Sequence, residues 1–288
     1  MDDGTAQAGL RVAILTAVPE VAAMTTTTLV RLGHEPVVVV GARRRKPTPG
    51  LTSLNATSTV PGTEVVIAPD KAGVEPILRS LHPDLVLSWA FPWRVLPGAL
   101  AVPDYGSINY HPSLLPRHRG ANPVAWTIRM GDSDYGVTWH RMEPGFDSGP
   151  ILSQRATPVL EDDTIYDVIP RLTVLGLRML RDVMVRVLRR EPGEPQPTEG
   201  VTEAGPFGDD YAAIDWSGTA QAIHTQVRAW TFTPGTHSVI GPIGEVEGRR
   251  VRVVRTSLHP PADGIEHDAV AVECGDGPLW VLDTEPLE

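Results

Sequence analysis

The sequence has little of several features on which common protein classes depend. Its 288 residues include a single cysteine, Cys274, so an internal disulfide and a cysteine-based zinc site are both excluded. No apolar run approaches the roughly 20 residues that a membrane-spanning helix needs. The N-terminus, MDDGTAQAGL, is neither basic nor apolar and does not read as a signal peptide. We therefore expect a cytoplasmic protein with no membrane partner.

The motifs of several enzyme classes are also missing. The turn after the first predicted strand, LTAVPEVAA, lacks the glycines that let a backbone approach a dinucleotide pyrophosphate. The chain has no GxxxxGK[ST] phosphate loop, no HExxH zinc motif and no GxSxG nucleophile turn. Dinucleotide-dependent, P-loop, metalloprotease and α/β-hydrolase chemistry are therefore disfavoured. A formal charge of −10 also places nucleic-acid binding at a disadvantage, because it repels phosphate.

The first part of the sequence alternates short strand-like runs with helical stretches. RVAILT, PVVVVG, DLVLSW and GSINY have the composition of strands, and PEVAAMTTTTLVRLG and VEPILRSLH lie between them as predicted helices. This alternation predicts a doubly wound, mostly parallel α/β sheet. A long amphipathic helix, DVIPRLTVLGLRMLRDVMVRVLRR, follows and is expected to break or bend near Pro170.

A stretch rich in proline, glycine and acidic residues divides the chain. EPGEPQPTEGVTEAGPFGDD has the composition of a linker rather than of a core element. We therefore predict a catalytic domain over residues 1–190, a linker over 191–210 and a smaller β-rich, barrel-like domain over 211–288.

One short stretch, GSINYHP, places two polar side chains on one face of a strand. Alternation puts Asn109 and His111 on that face and Ile108 and Tyr110 on the other. Pro112 ends the strand, so His111 is expected at the carboxyl edge of a parallel sheet, where open α/β sheets bind ligands. Taken alone, the pair also fits a purely structural role at a strand end.

The motifs downstream give the pair a context. MEPGFDSGPIL places Asp147 between Gly145 and Gly149, in a turn that can bring the backbone close to a ligand. Together these features resemble the folate-dependent formyltransferases, which use 10-formyltetrahydrofolate. The matching residues are Asn109, His111, Ser113 to Pro116, Arg119, Gly120, Gly136 to Thr138, Asp147 and Gly149. The resemblance covers roughly residues 10–190, and AIHTQVRAW resembles the start of the family's C-terminal domain.

The resemblance implies a separate catalytic role for each of three residues. Asn109 is expected to donate an amide N–H to the developing oxyanion. His111 is expected to accept the proton of the attacking amine or to hold the tetrahedral intermediate. Asp147 would orient the imidazole and relay a proton through water to the departing folate nitrogen. No step uses a metal, so no metal ligand is predicted.

The segment LSWAFPWRVLP resembles the part of these enzymes whose backbone pairs with the pteridine ring. Phe91 and Trp93 are expected to form apolar walls, and Leu115 to line the same cleft. The residues predicted to contact the folate are Ser88, Trp89, Ala90, Phe91, Trp93, Leu96, Leu115, Val137 and Gly145.

The acceptor is harder to predict. The best-known members formylate methionyl initiator tRNA through a basic loop after the second strand and a basic C-terminal domain. GARRRKPTPG provides the basic loop, but residues 211–288 carry 5 arginines and no lysine against 11 acidic residues, a formal charge of −6. We therefore expect a small-molecule amine as acceptor. Methionyl-tRNA formyltransferase is the alternative, with tRNA disfavoured by charge.

A second alternative is a hydrolase that releases formate. HPSLLPRHRG also resembles the hydrolase domain of formyltetrahydrofolate dehydrogenase, but that domain has an apolar residue where this chain has Asn109, which favours transfer. In VTWHRM, His140 stands where the tRNA-directed enzymes usually have methionine, which favours a small acceptor. The residues predicted to contact the acceptor are Arg43, Arg44, Arg45, Ser113, Arg119 and His140. A monomer or a homodimer is expected.

Overall fold

The computed structural model describes residues 9–42, 54–55, 58–231, 241–261 and 269–287. The chain divides into two compact units, which are described separately. Unit 1 comprises residues 1–116, 136–155 and 172–201, and unit 2 comprises residues 117–135, 156–171 and 202–288. The predicted boundaries at residues 190 and 210 stay a prediction.

Unit 1 is built on a seven-stranded sheet. Its strands are β1 (Arg11–Leu15), β2 (Glu35–Ala42), β3 (Glu64–Ala68), β4 (Leu85–Trp89), β5 (Ser107–His111), β6 (Asp134–Arg141) and β7 (Ile151–Pro158). The order is β3-β2-β1-β4-β5-β6-β7. The first five strands run parallel, and β6 is antiparallel to β5. The chain reverses its direction of travel across the sheet between β1 and β4, which confirms the doubly wound, mostly parallel prediction.

The helices follow the predicted alternation. They are α1 (Pro19–Arg31), α2 (Val74–Leu81), α3 (Pro97–Leu100), α4 (Pro123–Arg129), α5 (Ile165–Leu188) and α6 (Ala220–Thr231). Helix α5 continues through Pro170, so the break expected there does not occur. The proline removes one hydrogen bond, to the carbonyl of Tyr166 in the first turn, and that residue is 85% exposed, so water can replace the lost donor.

Three aromatic rings from neighbouring strands pack together on one face of the sheet. Tyr110 stacks on Trp89 at 3.9 Å between ring centroids, and both meet the edge of Trp139. Trp139 donates its indole N–H to the carbonyl of Gly176 on α5 at 3.0 Å. Burial raises the pKa of the Tyr110 phenol, so its hydroxyl stays neutral in this core.

Unit 2 contains a four-stranded antiparallel sheet with the order β10-β11-β9-β8. Its strands are β8 (Ile243–Val246), β9 (Arg249–Ser257), β10 (Val270–Cys274) and β11 (Gly277–Pro286). Helix α6 packs on this sheet through Val227, which belongs to a core with Val246, Val253 and Val281. One helix and several short strands match the predicted β-rich module.

The stretch predicted to be a linker is hydrogen-bonded along much of its length. Glu194 pairs with Ile151 of β7 through two backbone hydrogen bonds of 2.8 and 2.9 Å. Further along, Ala204 donates its backbone N–H to the carbonyl of Arg119 at 2.6 Å. The stretch has the composition of a linker, but backbone hydrogen bonds hold it in place.

Within the described ranges, no helix is both long and apolar enough to cross a membrane. Among the same residues, no three His, Cys, Asp or Glu side chains gather in a way that would hold a metal ion.

Gly176→Ala is expected to destabilise the protein, although alanine is the better helix former by about 1 kcal/mol. A Cβ at this position would lie 2.4 Å from Cε2 of Tyr110. Such overpacking typically costs about 1–3 kcal/mol. Urea unfolding followed by tryptophan fluorescence measures the change. Val174→Ala, at a position 46% exposed on the same helix, is the control and should change stability little. A Gly176→Ala protein as stable as the wild type would contradict the packing argument.

Candidate active site

Strand β5 presents two polar side chains on one face, as predicted. Asn109 lies opposite Ser88 of β4 and opposite His140 of β6. Since residues opposite each other across a ladder point to the same side of a sheet, these three share a face. His111 is the last residue of β5 and is 4% exposed. The pair therefore lies at the carboxyl end of a parallel strand, next to the point where the sheet reverses its order.

The SLLP loop is fastened to the start of β6. A Cβ on Gly136 would lie 2.4 Å from the backbone nitrogen of Leu114, so only glycine allows the loop this close. Thr138 donates its hydroxyl hydrogen to the carbonyl of Ser113 at 2.7 Å and accepts from the N–H of Leu115 at 3.3 Å. The GVT and SLLP motifs are therefore two halves of one hydrogen-bonded unit.

The turn between β6 and β7 carries Asp147. Its φ of +47° lies in the left-handed region, which is uncommon for a residue with a side chain. A Cβ on Gly149 would lie 2.0 Å from the carbonyl oxygen of Arg141, so the turn passes directly over the end of β6. The side-chain amide of Gln196 donates to the carbonyls of Asp147 and Gly149 at 2.7 and 2.8 Å.

These elements bring four side chains together within unit 1. Nδ1 of His111 lies 3.6 Å from Oδ2 of Asp147. Oδ1 of the same carboxylate lies 3.4 Å from Nδ2 of Asn109 and 3.5 Å from Nε2 of His140. The side chain of Asp147 is 14% exposed, and the two imidazoles are at most 5% exposed. The carboxylate is therefore partly open while the groups around it are enclosed.

The tautomer of His140 orients the amide of Asn109. Nδ1 of His140 lies 2.7 Å from the carbonyl oxygen of Arg141 and must donate, because a carbonyl only accepts. In the neutral ring Nε2 is then an acceptor. It lies 3.2 Å from Nδ2 of Asn109, so the amide turns its N–H group toward His140 and its oxygen away.

The residues predicted to bind folate fall into two groups. Ala90 and Gly145 are exposed, and Phe91, Trp93 and Leu96 are half-buried, with the first two rings in edge contact at 5.6 Å. Ser88 is buried but shares the face of Asn109.

The second group is enclosed in the protein. Trp89 lies on the opposite face of the sheet from Asn109, in the aromatic stack, and Val137 alternates to that same face beside Trp139. Leu115 is 2% exposed. A folate contact by Trp89 or Val137 would therefore have to use backbone atoms, and it stays a prediction.

The described residues that were predicted to contact the acceptor do not lie on an open surface of unit 1. Ser113 is fully buried and His140 is 2% exposed. Arg119 belongs to unit 2, where its backbone N–H donates to the carbonyl of Thr202 at 2.9 Å. Arg43, Arg44, Arg45 and Lys46 lie outside the described residues.

Sequence reasoning missed the contacts made by Gln196 and by His140. His140 was associated with the acceptor, which stays a prediction, and its ring contacts Asn109 and Asp147. The β5–β6 register that creates this contact has no sequence signal beyond the two strand patterns. Gln196 gives no signal at all, since it stands between two prolines in a stretch that reads as linker.

Comparison with known proteins identifies the family of this chain. Residues 33–184 match the formyl transferase family, and residues 209–287 match the formyl transferase C-terminal domain. The chain is 33% identical to methionyl-tRNA formyltransferase of Citrifermentans bemidjiense, over 96% of this chain and 89% of that protein. The enzyme of the same name from Myxococcus xanthus is 34% identical, over 77% of this chain and 72% of its own length. This chain belongs to the formyl transferase family and is an enzyme of formyl transfer.

Solved structures share the fold at low sequence identity. HypX from Aquifex aeolicus superimposes with a TM-score of 0.70 at 15% identity, over 97% of this chain. The chain spans 46% of the length of HypX. An N-formyltransferase from Helicobacter canadensis gives a TM-score of 0.65 at 16% identity, over 96% of this chain and 100% of that one.

Proposed function

We propose that this enzyme moves the formyl group of 10-formyltetrahydrofolate to the amine of a small-molecule acceptor. The observation that carries the proposal is the convergence of Asn109, His111 and Asp147 at the carboxyl end of β5. Folate as the donor is supported by neighbours of the same fold: HypX was solved with tetrahydrofolic acid, and the sugar formyltransferase WlaRD with 5-N-formyl-tetrahydrofolate.

Asn109 stabilises the oxyanion that forms when the amine attacks the formyl carbon. One amide hydrogen is held by Nε2 of His140 at 3.2 Å, and the other faces Asp147 at 3.4 Å, beyond the usual hydrogen-bond distance. This second N–H is held only weakly, so a formyl oxygen can take it over. The exchange replaces a long hydrogen bond with one to a developing oxyanion, so it stabilises the transition state more than the resting site.

His111 and Asp147 handle the proton. The amine nitrogen bonds to the formyl carbon, His111 takes the released proton, and the carboxylate stabilises the imidazolium. The bond from the formyl carbon to N10 of the folate then breaks. N10 leaves as an amine after it receives a proton through Asp147 and water, so the products are the formylated acceptor and tetrahydrofolate.

The folate ring system is proposed to lie along the segment after β4. Phe91 and Trp93 offer half-buried apolar faces there. Ala90 is exposed and has a φ of +54°. Its carbonyl accepts from the N–H of Ala17 at 3.3 Å, which holds the start of this segment against the chain after β1.

The charges of the C-terminal sheet favour a small acceptor over tRNA. Three arginines of β9 each lie opposite a carboxylate on a neighbouring strand. The opposed pairs are Arg250 with Glu245, Arg252 with Glu285 and Arg255 with Asp283. Arg252 and Glu285 form an ion pair at 3.1 Å. Arginines matched in this way contribute little net field toward a phosphate backbone.

Methionyl-tRNA formyltransferase is the second candidate. It is favoured by the 33% identity over nearly the whole chain and by the four basic residues Arg43, Arg44, Arg45 and Lys46 after β2.

Removal of any of the three catalytic side chains should slow formyl transfer strongly. His111→Ala is expected to lower kcat by about 10²–10⁴, and Asn109→Ala by about 10²–10³. Asp147→Asn keeps the shape but removes the charge, and a similar loss of about 10²–10⁴ is expected. Formation of tetrahydrofolate is the measurement, and His259→Ala, an exposed histidine of unit 2, is the control. Near wild-type turnover in any one variant would remove that residue from the mechanism.

Turnover should survive EDTA, because each proposed step uses hydrogen bonds and proton transfer. The measurement is the rate of tetrahydrofolate formation before and after dialysis against the chelator. A loss of activity that added zinc restores would show that a metal takes part.

The salt dependence of kcat/KM and the substitution of basic residues should distinguish tRNA from a small amine as the acceptor. If tRNA is the partner, kcat/KM should fall on the order of a thousandfold between 50 and 200 mM salt, since six or more phosphate contacts would be screened. A small amine should show a change of only about threefold or less. We expect the shallow dependence, and a fourfold variant with Arg43, Arg44, Arg45 and Lys46 changed to Ala should keep most of its turnover.

The same assay distinguishes the remaining possibilities. A panel of amines and charged initiator tRNA are supplied in turn, and a gain of one formyl mass identifies the acceptor. Efficient formylation of the tRNA with a steep salt slope would select the second candidate, and rapid tetrahydrofolate release without any acceptor would select a hydrolase.

A further inference from the structure

Two side chains contact the turn that carries Asp147 from outside: Arg94 donates to the carbonyl of Pro144, and Gln196 bonds to the part of the turn that holds the carboxylate. Gln196, in the segment after α5, uses both hydrogens of its amide group: one bonds to the carbonyl of Asp147 at 2.7 Å and the other to the carbonyl of Gly149 at 2.8 Å. Both distances are short for neutral N–H···O bonds. No other donor type of this length places two hydrogens at fixed angles as an amide does.

The turn needs such support. Asp147 adopts a left-handed backbone conformation, at a φ of +47°, which is unfavourable for a residue with a side chain, although less so for aspartate than for most. Its neighbour Phe146 is 62% exposed and meets the guanidinium of Arg94 at 5.4 Å from the ring centroid, so this side of the turn is held by a surface contact rather than by burial. A peptide unit that relaxed toward ordinary φ would rotate the Asp147 side chain away from His111.

The segment that carries Gln196 is itself anchored to unit 1. Glu194 pairs with Ile151 of β7 through two backbone hydrogen bonds. Arg186 of α5 forms ion pairs with Glu191 at 2.6 Å and with Glu194 at 3.1 Å. Arg141 donates to the carbonyl of Glu191 at 2.7 Å. The amide of Gln196 therefore projects from a fixed stretch of backbone onto the turn.

We propose that Gln196 is a positioning residue for formyl transfer, which holds the Asp147–Gly149 turn so that the carboxylate faces His111. It acts only through Asp147 and contacts no reacting atom. The inference rests on the proposed function, since it assumes that Asp147 takes part in the reaction. Misplacement of a catalytic group by about 1 Å can cost on the order of a hundredfold in rate.

Two substitutions of Gln196 test the role of its donors. Gln196→Ala removes both hydrogen bonds, and Gln196→Glu keeps the shape but sets a carboxylate against two carbonyl oxygens. Both variants should lower kcat by about 10- to 100-fold, while KM for 10-formyltetrahydrofolate changes about threefold or less. Thr198→Ala, at an exposed position two residues further on, is the matched control and should behave as the wild type.

A second measurement needs no acceptor. The titration of the His111 imidazole is followed by NMR in the wild type, the two Gln196 variants and Asp147→Asn. A carboxylate that faces the ring favours its protonated form, so loss of positioning should move the titration midpoint of the Gln196 variants down toward that of Asp147→Asn. A merely structural role for Gln196 would lower the melting temperature and leave this midpoint unchanged.

The turnover rate and the titration midpoint distinguish a failure of the role inferred for Gln196 from a failure of the role proposed for Asp147. If Asp147→Asn is slow but both Gln196 variants match the wild type in rate and midpoint, the inference is wrong and the proposed mechanism stands. If Asp147→Asn itself turns over at the wild-type rate, the proposed role of Asp147 is wrong. The midpoint alone then decides whether Gln196 positions the carboxylate.

Discussion

The aromatic stack behind β5 is the constraint on which the site depends. Tyr110 lies between Trp89 and Trp139, and Gly176 of α5 leaves just enough room for the three rings. Because side chains alternate along a strand, a slip of β5 by one residue would turn Asn109 and His111 into this apolar core and Tyr110 out of it. Burial of polar groups without partners is costly. The core therefore determines which face carries the chemistry.

The sequence was sufficient to predict that alternation, because period-2 patterns and a terminal proline are local features. It was also sufficient to connect Asp147 with His111, through a family resemblance rather than through physics. It could not show that His140 contacts Asn109, since the antiparallel register of β5 and β6 depends on pairing energies that no single strand reveals. Gln196 lies 49 residues from Asp147 along the chain, and the composition of the residues around it predicted a linker.

Residue counts and strand pairing give different information about the charge of residues 211–288. A count of residues yields a formal charge of −6 for residues 211–288, but a count cannot exclude a basic stripe on one face. The ladder answers this in part for β9, because Arg250, Arg252 and Arg255 lie opposite carboxylates whereas Arg249 lies opposite Val246. The 33% identity to a relative named methionyl-tRNA formyltransferase does not conflict with this. The proposed formyl chemistry uses residues of unit 1, and a fold can keep its chemistry while the surfaces that contact an acceptor change.

The separation between His111 and Asp147 fits a site at rest. At 3.6 Å, Nδ1 and Oδ2 are too far apart for a strong hydrogen bond. When the imidazole takes up a proton, its charge and that of the carboxylate attract at a position that is only 14% exposed, where water screens less than in bulk. In the proposed mechanism, the contact is therefore favoured to shorten at the moment when the intermediate forms. An interaction stronger in the transition state than before it is what accelerates a reaction. The support of the turn by Gln196 matters for the same reason, since the carboxylate can close a gap of this size only from the correct side.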